Sequence, residues 1–131
     1  MIVADTHIII WDALCPEKLS SKARKAIDIA NKGEGIIFCD ISLWEIAMLF
    51  KKDRFKINTD YKTFINLVLN SNKYTIWEIT PEIAELSVHL PPTINKDPAD
   101  RIIAATSIIC QAPLVTADGN LNMAKELTTI W

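Results

Sequence analysis

Ile36-Ile37-Phe38-Cys39, followed closely by Leu43-Trp44-Glu45-Ile46-Ala47-Met48-Leu49-Phe50-Lys51, is the stretch on which the fold turns. Four apolar residues in a row suit a strand covered on both faces, the usual condition of a parallel sheet. The nine residues from Leu43 are apolar on nearly every side, which predicts a buried helix. A strand passing into a helix within a few residues is half of a strand–helix–strand unit. The same pairing recurs outward in both directions.

Toward the N-terminus, Ile2-Val3-Ala4 is a first strand, with a helical stretch from about Thr6. A polar helix runs from about Ser21 to Asn31 and stops at Lys32-Gly33, a C-cap signal. Toward the C-terminus, Asp60 to Leu69 places Tyr61, Phe64, Ile65 and Val68 on one helical face, and Thr75 to Ile79 reads as a third strand. Thr80 as N-cap with Pro81 at the first helical position opens another helix. Pro98 to Cys110 is a helix whose centre, Ile102-Ile103-Ala104-Ala105, is fit for close packing on a sheet. Pro113-Leu114-Val115-Thr116 is a fourth strand, Asn120 to Leu127 a helix, and Thr129-Ile130-Trp131 a terminal strand. The expectation is an α/β domain of three layers, α/β/α, around a mostly parallel sheet of four to five strands.

At 131 residues the chain makes one domain, residues 1–131. Hydrophobic types at 50% exclude disorder, and no apolar run approaches the roughly 18 residues that span a bilayer, so no membrane partner is expected. Met1-Ile2-Val3-Ala4-Asp5 lacks the basic start of a signal peptide. Cys15, Cys39 and Cys110 are odd in number and show no metal-binding spacing, which fits a reducing cytoplasm. A net charge of −2 argues neither for nor against a nucleic-acid partner.

In doubly wound folds chemistry gathers outside the carboxyl ends of the strands. Four acids fall there: Asp5 after the first strand, Glu45 after the second, Asp100 in the first turn of the Pro98 helix, and Asp118 after the fourth strand. Each has a structural explanation. Ser42-Leu43-Trp44-Glu45 reads as a capping box, Asp97-Pro98-Ala99-Asp100 as another, and Asp5 and Asp118 suit N-caps. Their conjunction asks for more, because caps alone could equally be Ser, Thr or Asn. Two carboxylates about 4 Å apart at an effective dielectric near 20 repel by roughly 4 kcal/mol, so four on one rim need a compensating cation. Oxygen-only ligands favour Mg²⁺ or Mn²⁺ and point to metal-assisted phosphate-ester chemistry.

Asp5-Thr6, Ser42-Leu43-Trp44-Glu45-Ile46-Ala47, Asp97-Pro98-Ala99-Asp100-Arg101-Ile102-Ile103-Ala104-Ala105-Thr106 and Leu114-Val115-Thr116-Ala117-Asp118 occur in that order. Together they closely resemble the PIN-domain ribonucleases, in particular the VapC-type toxins of toxin–antitoxin pairs, over essentially the whole chain. The resemblance implies a PIN-like fold and a Mg²⁺-dependent endoribonuclease, with Mn²⁺ as the alternative ion. Asp5, Glu45, Asp100 and Asp118 match the family's acidic quartet as catalytic and metal-ligating residues, Asp5 and Asp100 foremost. It also implies an RNA substrate, a cognate antitoxin lying near the helices of about Ser21–Asn31 and Leu43–Lys56, and a homodimer.

Around the quartet, Thr6 and Thr116 are placed to support the ligands, Asp97 to cap the Pro98 helix, and Arg101 to lock a ligand carboxylate or bind a phosphate. Lys51, Lys52, Arg54 and Lys56 form the only dense basic stretch, a contact for RNA or antitoxin if not simply a helix C-terminus rich in cations. Asn95-Lys96 departs from the family, which often carries His before its Asp-Pro. His7 reads as an exposed helix residue, while Trp44, Trp77 and Trp131 read as core and Trp11 as the tryptophan to line a groove or seam. Two other readings remain open. A dehalogenase-like phosphohydrolase would use Asp5 as nucleophile but lacks the second acid, since His7 holds that position. A non-catalytic scaffold that binds RNA or protein would have no need of four acids.

Overall fold

The computed structural model describes residues 1–53, 55 and 57–131. Among them five strands form one sheet: β1 (Ile2–Ala4), β2 (Ile36–Cys39), β3 (Tyr74–Trp77), β4 (Leu114–Val115) and β5 (Thr129–Ile130). Their order is β3-β2-β1-β4-β5, and every neighbouring pair is parallel. The helices are α1 (Thr6–Leu14), α2 (Ser21–Lys32), α3 (Ile41–Lys51), α4 (Tyr61–Ser71), α5 (Pro81–His89), α6 (Pro98–Cys110) and α7 (Gly119–Met123). This is the three-layer α/β/α architecture expected above.

Alternation along the central strands divides the core in two. Ile2, Ala4, Ile36, Phe38 and Val115 face one way, onto apolar residues of α1 to α4 such as Ile9, Ile27, Ile46 and Phe64. Val3, Ile37, Cys39 and Leu114 face the other way, onto Ile83 of α5, Ile103, Ala104 and Ala105 of α6, and Leu121 of α7. The unbroken apolar runs of β1 and β2 are therefore buried on both sides, as the sequence requires. Ala104 and Ala105, fully buried, let α6 lie close to the sheet.

Gly35 sets the entry to β2. Its φ of +96° lies in the region that favours glycine, and a Cβ there would stand 2.6 Å from the Lys73 carbonyl oxygen. That carbonyl accepts the Ile36 N–H at 2.9 Å, so the close approach begins the β2–β3 ladder.

Several boundaries differ from the sequence reading. β3 covers Tyr74–Trp77 rather than Thr75 to Ile79, because its partner β2 ends at Cys39, opposite Trp77. The Ile79 N–H turns instead to the Asp40 carboxylate at 3.2 Å. α3 starts at Ile41, and α4 runs on to Ser71. α7 stops at Met123 rather than Leu127, as Ala124 takes up the extended backbone that leads into β5.

From β1 the chain winds outward through β2 to β3, then returns to lay β4 and β5 on the other side of β1. The switch lies between β1 and β4, and a crevice opens at their carboxyl ends. Asp5 follows one of these strands and Asp118 the other.

A candidate metal centre at the strand ends

Asp5 is the first residue past β1, and the parallel pairing of β1 with β4 draws its backbone N–H onto the Val115 carbonyl at 3.0 Å. Its carboxylate, 6% exposed, caps α1: Oδ1 accepts the Thr6 N–H at 2.8 Å and Oδ2 the Thr116 hydroxyl at 2.7 Å. The Thr116 hydroxyl, having given its proton to Asp5, accepts the backbone N–H of Asp118 at 3.0 Å. Asp118 in turn caps α7 through Oδ1, on the Leu121 N–H at 3.1 Å.

Glu45 reaches the same place from α3. The Thr6 hydroxyl donates to Glu45 Oε1 and lies 2.8 Å from the fully buried Ser42 hydroxyl. Because Thr6 has one hydroxyl proton and Glu45 receives it, Ser42 must be the donor in the second bond. Asp100, from the first turn of α6, arrives on the other side. The Asn95 side-chain amide donates to Asp100 Oδ2 at 3.1 Å and to Asp118 Oδ2 at 3.0 Å. The four acids thus sit on one continuous chain of hydrogen bonds: Glu45, Thr6, Asp5, Thr116, Asp118, Asn95, Asp100.

The electrostatics are those of crowded anions. Burial raises the Asp5 carboxyl above the ordinary carboxylate range, against the opposing pull of its Thr116 and Thr6 bonds. Burial likewise raises Glu45, with Asp5 and Asp97 adding to the effect while the Thr6 hydroxyl opposes it. Asp100 is pushed up to about 7, first by burial and then by the charges of Asp5 and Asp97. Among the described residues the one ion pair within 4 Å joins the Met1 amine to Glu34, just before β1 and β2 and so at the opposite ends of those strands from this rim. No Lys or Arg among the described residues pairs with the acids, and the charge of nearby His7 lowers Asp5 and Glu45 only as a minor contribution.

Among the described residues no three His, Cys, Asp or Glu side chains are grouped tightly enough to hold a metal ion as they stand. Only between Asp100 and Asp118 does one side-chain group, the Asn95 amide, bridge two carboxylates; Thr6 and Thr116 complete the other links through a backbone N–H, that of Thr6 to Asp5 and that of Asp118 to Thr116. The donor set nonetheless fits a hard divalent cation: every candidate ligand atom is a carboxylate oxygen, and Asp100 and Asp118 share a single neutral donor. Asp5, Asp100, Asp118 and Glu45 are the residues that could hold such an ion.

Other expectations fare differently. Ser42 is not an N-cap and Glu45 does not close a capping box: α3 begins two residues earlier, with Asp40 at the N-cap position, which frees both side chains to meet Thr6. Asp97 does cap α6, accepting the Ala99 N–H at 2.8 Å and the Asp100 N–H at 3.4 Å, but the Asp100 carboxylate does not complete that box, and turns to Asn95. Arg101 neither locks a ligand carboxylate nor faces the rim. Its guanidinium binds the carbonyls of Ser87, Leu90, Pro91, Ile94 and Asn95, because the bend from α5 into α6 leaves those acceptors without helical partners. Trp44 is not core but 59% exposed, a consequence of α3 spending its buried face on Ser42 and Ile46.

Trp77 and Trp131 pack against the two cores, and Trp11 lies beside Trp131 with ring centroids 6.1 Å apart. His7 is exposed on α1, its ring 6.0 Å from that of Trp11. Lys51 and Lys52 are exposed at the far end of α3, about 9 Å of helical rise from Glu45. Arg54 and Lys56 lie outside the described residues. Asn95, which the sequence presents only as a departure from a family pattern, is the residue missed. Its one signal is an amide five positions before Asp100, in the loop that delivers that acid.

A family model described as PIN domain matches residues 2–127. The chain is 31% identical to "Ribonuclease VapC22" of Mycobacterium tuberculosis, across 99% of this chain and 98% of that one. Among solved structures, VapBC2 from Rickettsia felis, bound to a DNA fragment from its promoter, superposes with a TM-score of 0.71 at 18% identity, covering 98% of this chain and 97% of that chain. FitAcB from Neisseria gonorrhoeae superposes with a TM-score of 0.68 at 18% identity, covering 98% and 96%. A toxin–antitoxin complex from Klebsiella pneumoniae gives 0.66 at 20% identity, covering 98% and 97%. At those identities the structures share the fold.

Proposed function

The chain belongs to the PIN-domain family, and from that premise we propose that it is a metal-dependent endoribonuclease, the toxin of a toxin–antitoxin pair. The observation that carries the reading is the hydrogen-bonded run that brings four acids from four separate segments to the switch between β1 and β4. A relative named as a ribonuclease at 31% identity over nearly the full length of both chains supports the chemistry. Solved toxin–antitoxin complexes of the same fold support the partner.

A divalent ion held by the quartet supplies Lewis-acid stabilisation of the phosphate oxygens and a more acidic water for hydrolysis. The protein's own part is to preorganise the ligands. Thr116 and the Thr6 N–H fix both oxygens of Asp5, so that one carboxylate enters the site in a single orientation. Ser42 orients Thr6, and Thr6 orients Glu45. Both oxygens engaged and 6% exposure favour Asp5 as a ligand over a nucleophile toward a phosphoryl group. Burial and the charges of Asp5 and Asp97 push the Asp100 carboxyl up to about 7, and a cation held beside it would favour its ionised form.

For the antitoxin, an apolar groove of about 550 Å³ opens along α1, lined by Ile10, Trp11, Leu14, Leu49 and Phe55, with Lys18 at its wall. A partner segment with an apolar stripe and acidic flanks matches it. A homodimer and a cytoplasmic setting complete the proposal; among the described residues no helix is long and apolar enough to cross a membrane.

The test is cleavage of RNA by the purified chain in Mg²⁺ or Mn²⁺, with EDTA and the Asp5→Asn variant as controls. Cleavage that needs the ion and is lost in the variant by about a thousandfold or more supports the reading. Undiminished cleavage by Asp5→Asn, or cleavage unaffected by EDTA, overturns it. A phosphoaspartate trapped at Asp5 would replace it with phosphohydrolase chemistry.

A further inference from the structure

The Asn95 backbone is tied down at both its N–H and its carbonyl. The N–H donates to the Asn120 side-chain oxygen at 2.9 Å, and the carbonyl accepts from Arg101 at 3.3 Å. The same Asn120 amide fixes the Thr93 carbonyl at 2.8 Å, and Arg101 fixes the carbonyls of Pro91 and Ile94 on either side. Everything that secures residue 95 acts on backbone, leaving the side-chain amide to a single task. That amide stands between two carboxylates, one from the first turn of α6 and one from the N-cap of α7, with one nitrogen bonded to Oδ2 of each.

We infer that Asn95 is a positioning residue that stands in for the cation: it holds Asp100 and Asp118 together while the site lacks a metal ion and withdraws when one binds. The inference rests on the metal-dependent reading above and concerns the form of the protein which that reading leaves unexplained. An NH₂ group offers two donors and a partial positive charge, enough to bridge two carboxylates without neutralising them. It engages oxygen lone pairs that a divalent ion would need, so amide and ion compete for the same acceptors. Since the backbone of residue 95 is tied down independently, the side chain can swing aside without moving the loop.

Competition gives a prediction opposite to that for an ordinary supporting residue. Asn95→Ala removes the amide and leaves every backbone tie intact. Bonds made only in the metal-free form are lost, so that form is weakened while the loaded form is not. Mg²⁺ should then bind about tenfold more tightly than to the wild type by titration calorimetry, the exchange of charge-assisted bonds for water being its measure. Asn95→Asp, which replaces the donor with a fifth acid of the same shape, should bind more tightly still. In EDTA the Asn95→Ala chain should melt several degrees below the wild type, and at saturating MgCl₂ that gap should close.

Weaker or unchanged Mg²⁺ affinity in Asn95→Ala, or a melting gap that persists with metal, overturns the inference and makes Asn95 a structural residue or a ligand. If Asn95→Ala does not fold, Asn95→Asp decides by the same titration, and a loss of affinity there overturns the inference equally. A wild-type chain that binds neither Mg²⁺ nor Mn²⁺ removes the metal-dependent reading and this inference with it.

Discussion

Replacing Arg101 with lysine keeps the charge and removes the fork, which separates two roles for this residue that its neighbour Asp100 makes easy to confuse. In the structure the guanidinium serves five carbonyls: Ser87 at 2.9 Å, Ile94 at 3.1 Å, Pro91 and Asn95 at 3.3 Å, and Leu90 at the shortest distance. Hydrogen bonds to a charged group contribute about 1.5–3 kcal/mol each, and the two longest contacts count for less. An ammonium at the end of a lysine stem gathers two or three of these acceptors at most, because its donors radiate from one point. A net loss of two bonds at the lower figure destabilises the fold by about 3 kcal/mol. For a chain of this length about 1 kcal/mol corresponds to roughly 3–5 °C, so the melting temperature of Arg101→Lys should fall by about 10 °C. Hydrogen exchange should quicken first in the loop before α6, ahead of the sheet. Were Arg101 a phosphate ligand instead, lysine would preserve stability and weaken RNA binding alone. An Arg101→Lys chain that melts within about 2 °C of the wild type, with slow exchange across residues 90–97, would refute the reasoning.

Without metal, the protein should grow more stable as pH falls from 8 toward 5.5. Asp100 titrates at about 7 in the fold against 3.8 in the unfolded chain, so its charge opposes folding above pH 7, and that cost falls away as the pH drops; Asp5 and Glu45, also raised, act in the same direction. About 1 kcal/mol from Asp100 alone, after allowance for its partial exposure, predicts a rise of a few degrees in melting temperature in EDTA, abolished by saturating Mg²⁺; a melting temperature that only falls over this range would contradict it. Thr6→Val should reduce metal affinity or cleavage about 10- to 100-fold by freeing Glu45, while the unpartnered Ser42 hydroxyl lowers stability by about 1 kcal/mol in a denaturant titration. Gly35→Ala should cost about 2–3 kcal/mol in the same titration, because a positive φ and a 2.6 Å approach to the Lys73 carbonyl must both be relieved at the head of β2.

The fold was legible because burial on both faces leaves a plain mark in sequence. Ile2-Val3-Ala4 and Ile36-Ile37-Phe38-Cys39 have no polar residue to spare for a solvent side, and each lies in the centre of the sheet. The edge and end of the sheet were less clear. β3 is half exposed and stops where β2 no longer offers it carbonyls, a limit set by its neighbour rather than by Glu78 or Ile79. Local capping rules located Asp97 and Thr80 as N-caps, yet failed at Ser42, where a tertiary partner on α1 outbids the backbone amide that the rule supplies.

The same contrast runs through the candidate site. Asp5, Glu45, Asp100 and Asp118 could be picked out because each follows a strand or opens a helix, positions that the topology carries to one rim whatever the side chain. Asn95 occupies no such position. It matters only because the turn from α5 to α6 is held by Arg101 and Asn120, and neither residue advertises that role by spacing or type. An arginine beside Asp100 invites an electrostatic explanation, while its real acceptors are carbonyls contributed by residues 87–95. Residues that bear charge are thus announced by sequence, and residues that settle how far apart those charges stand are not. In a rim of four acids, that second property sets how strongly the charges repel one another.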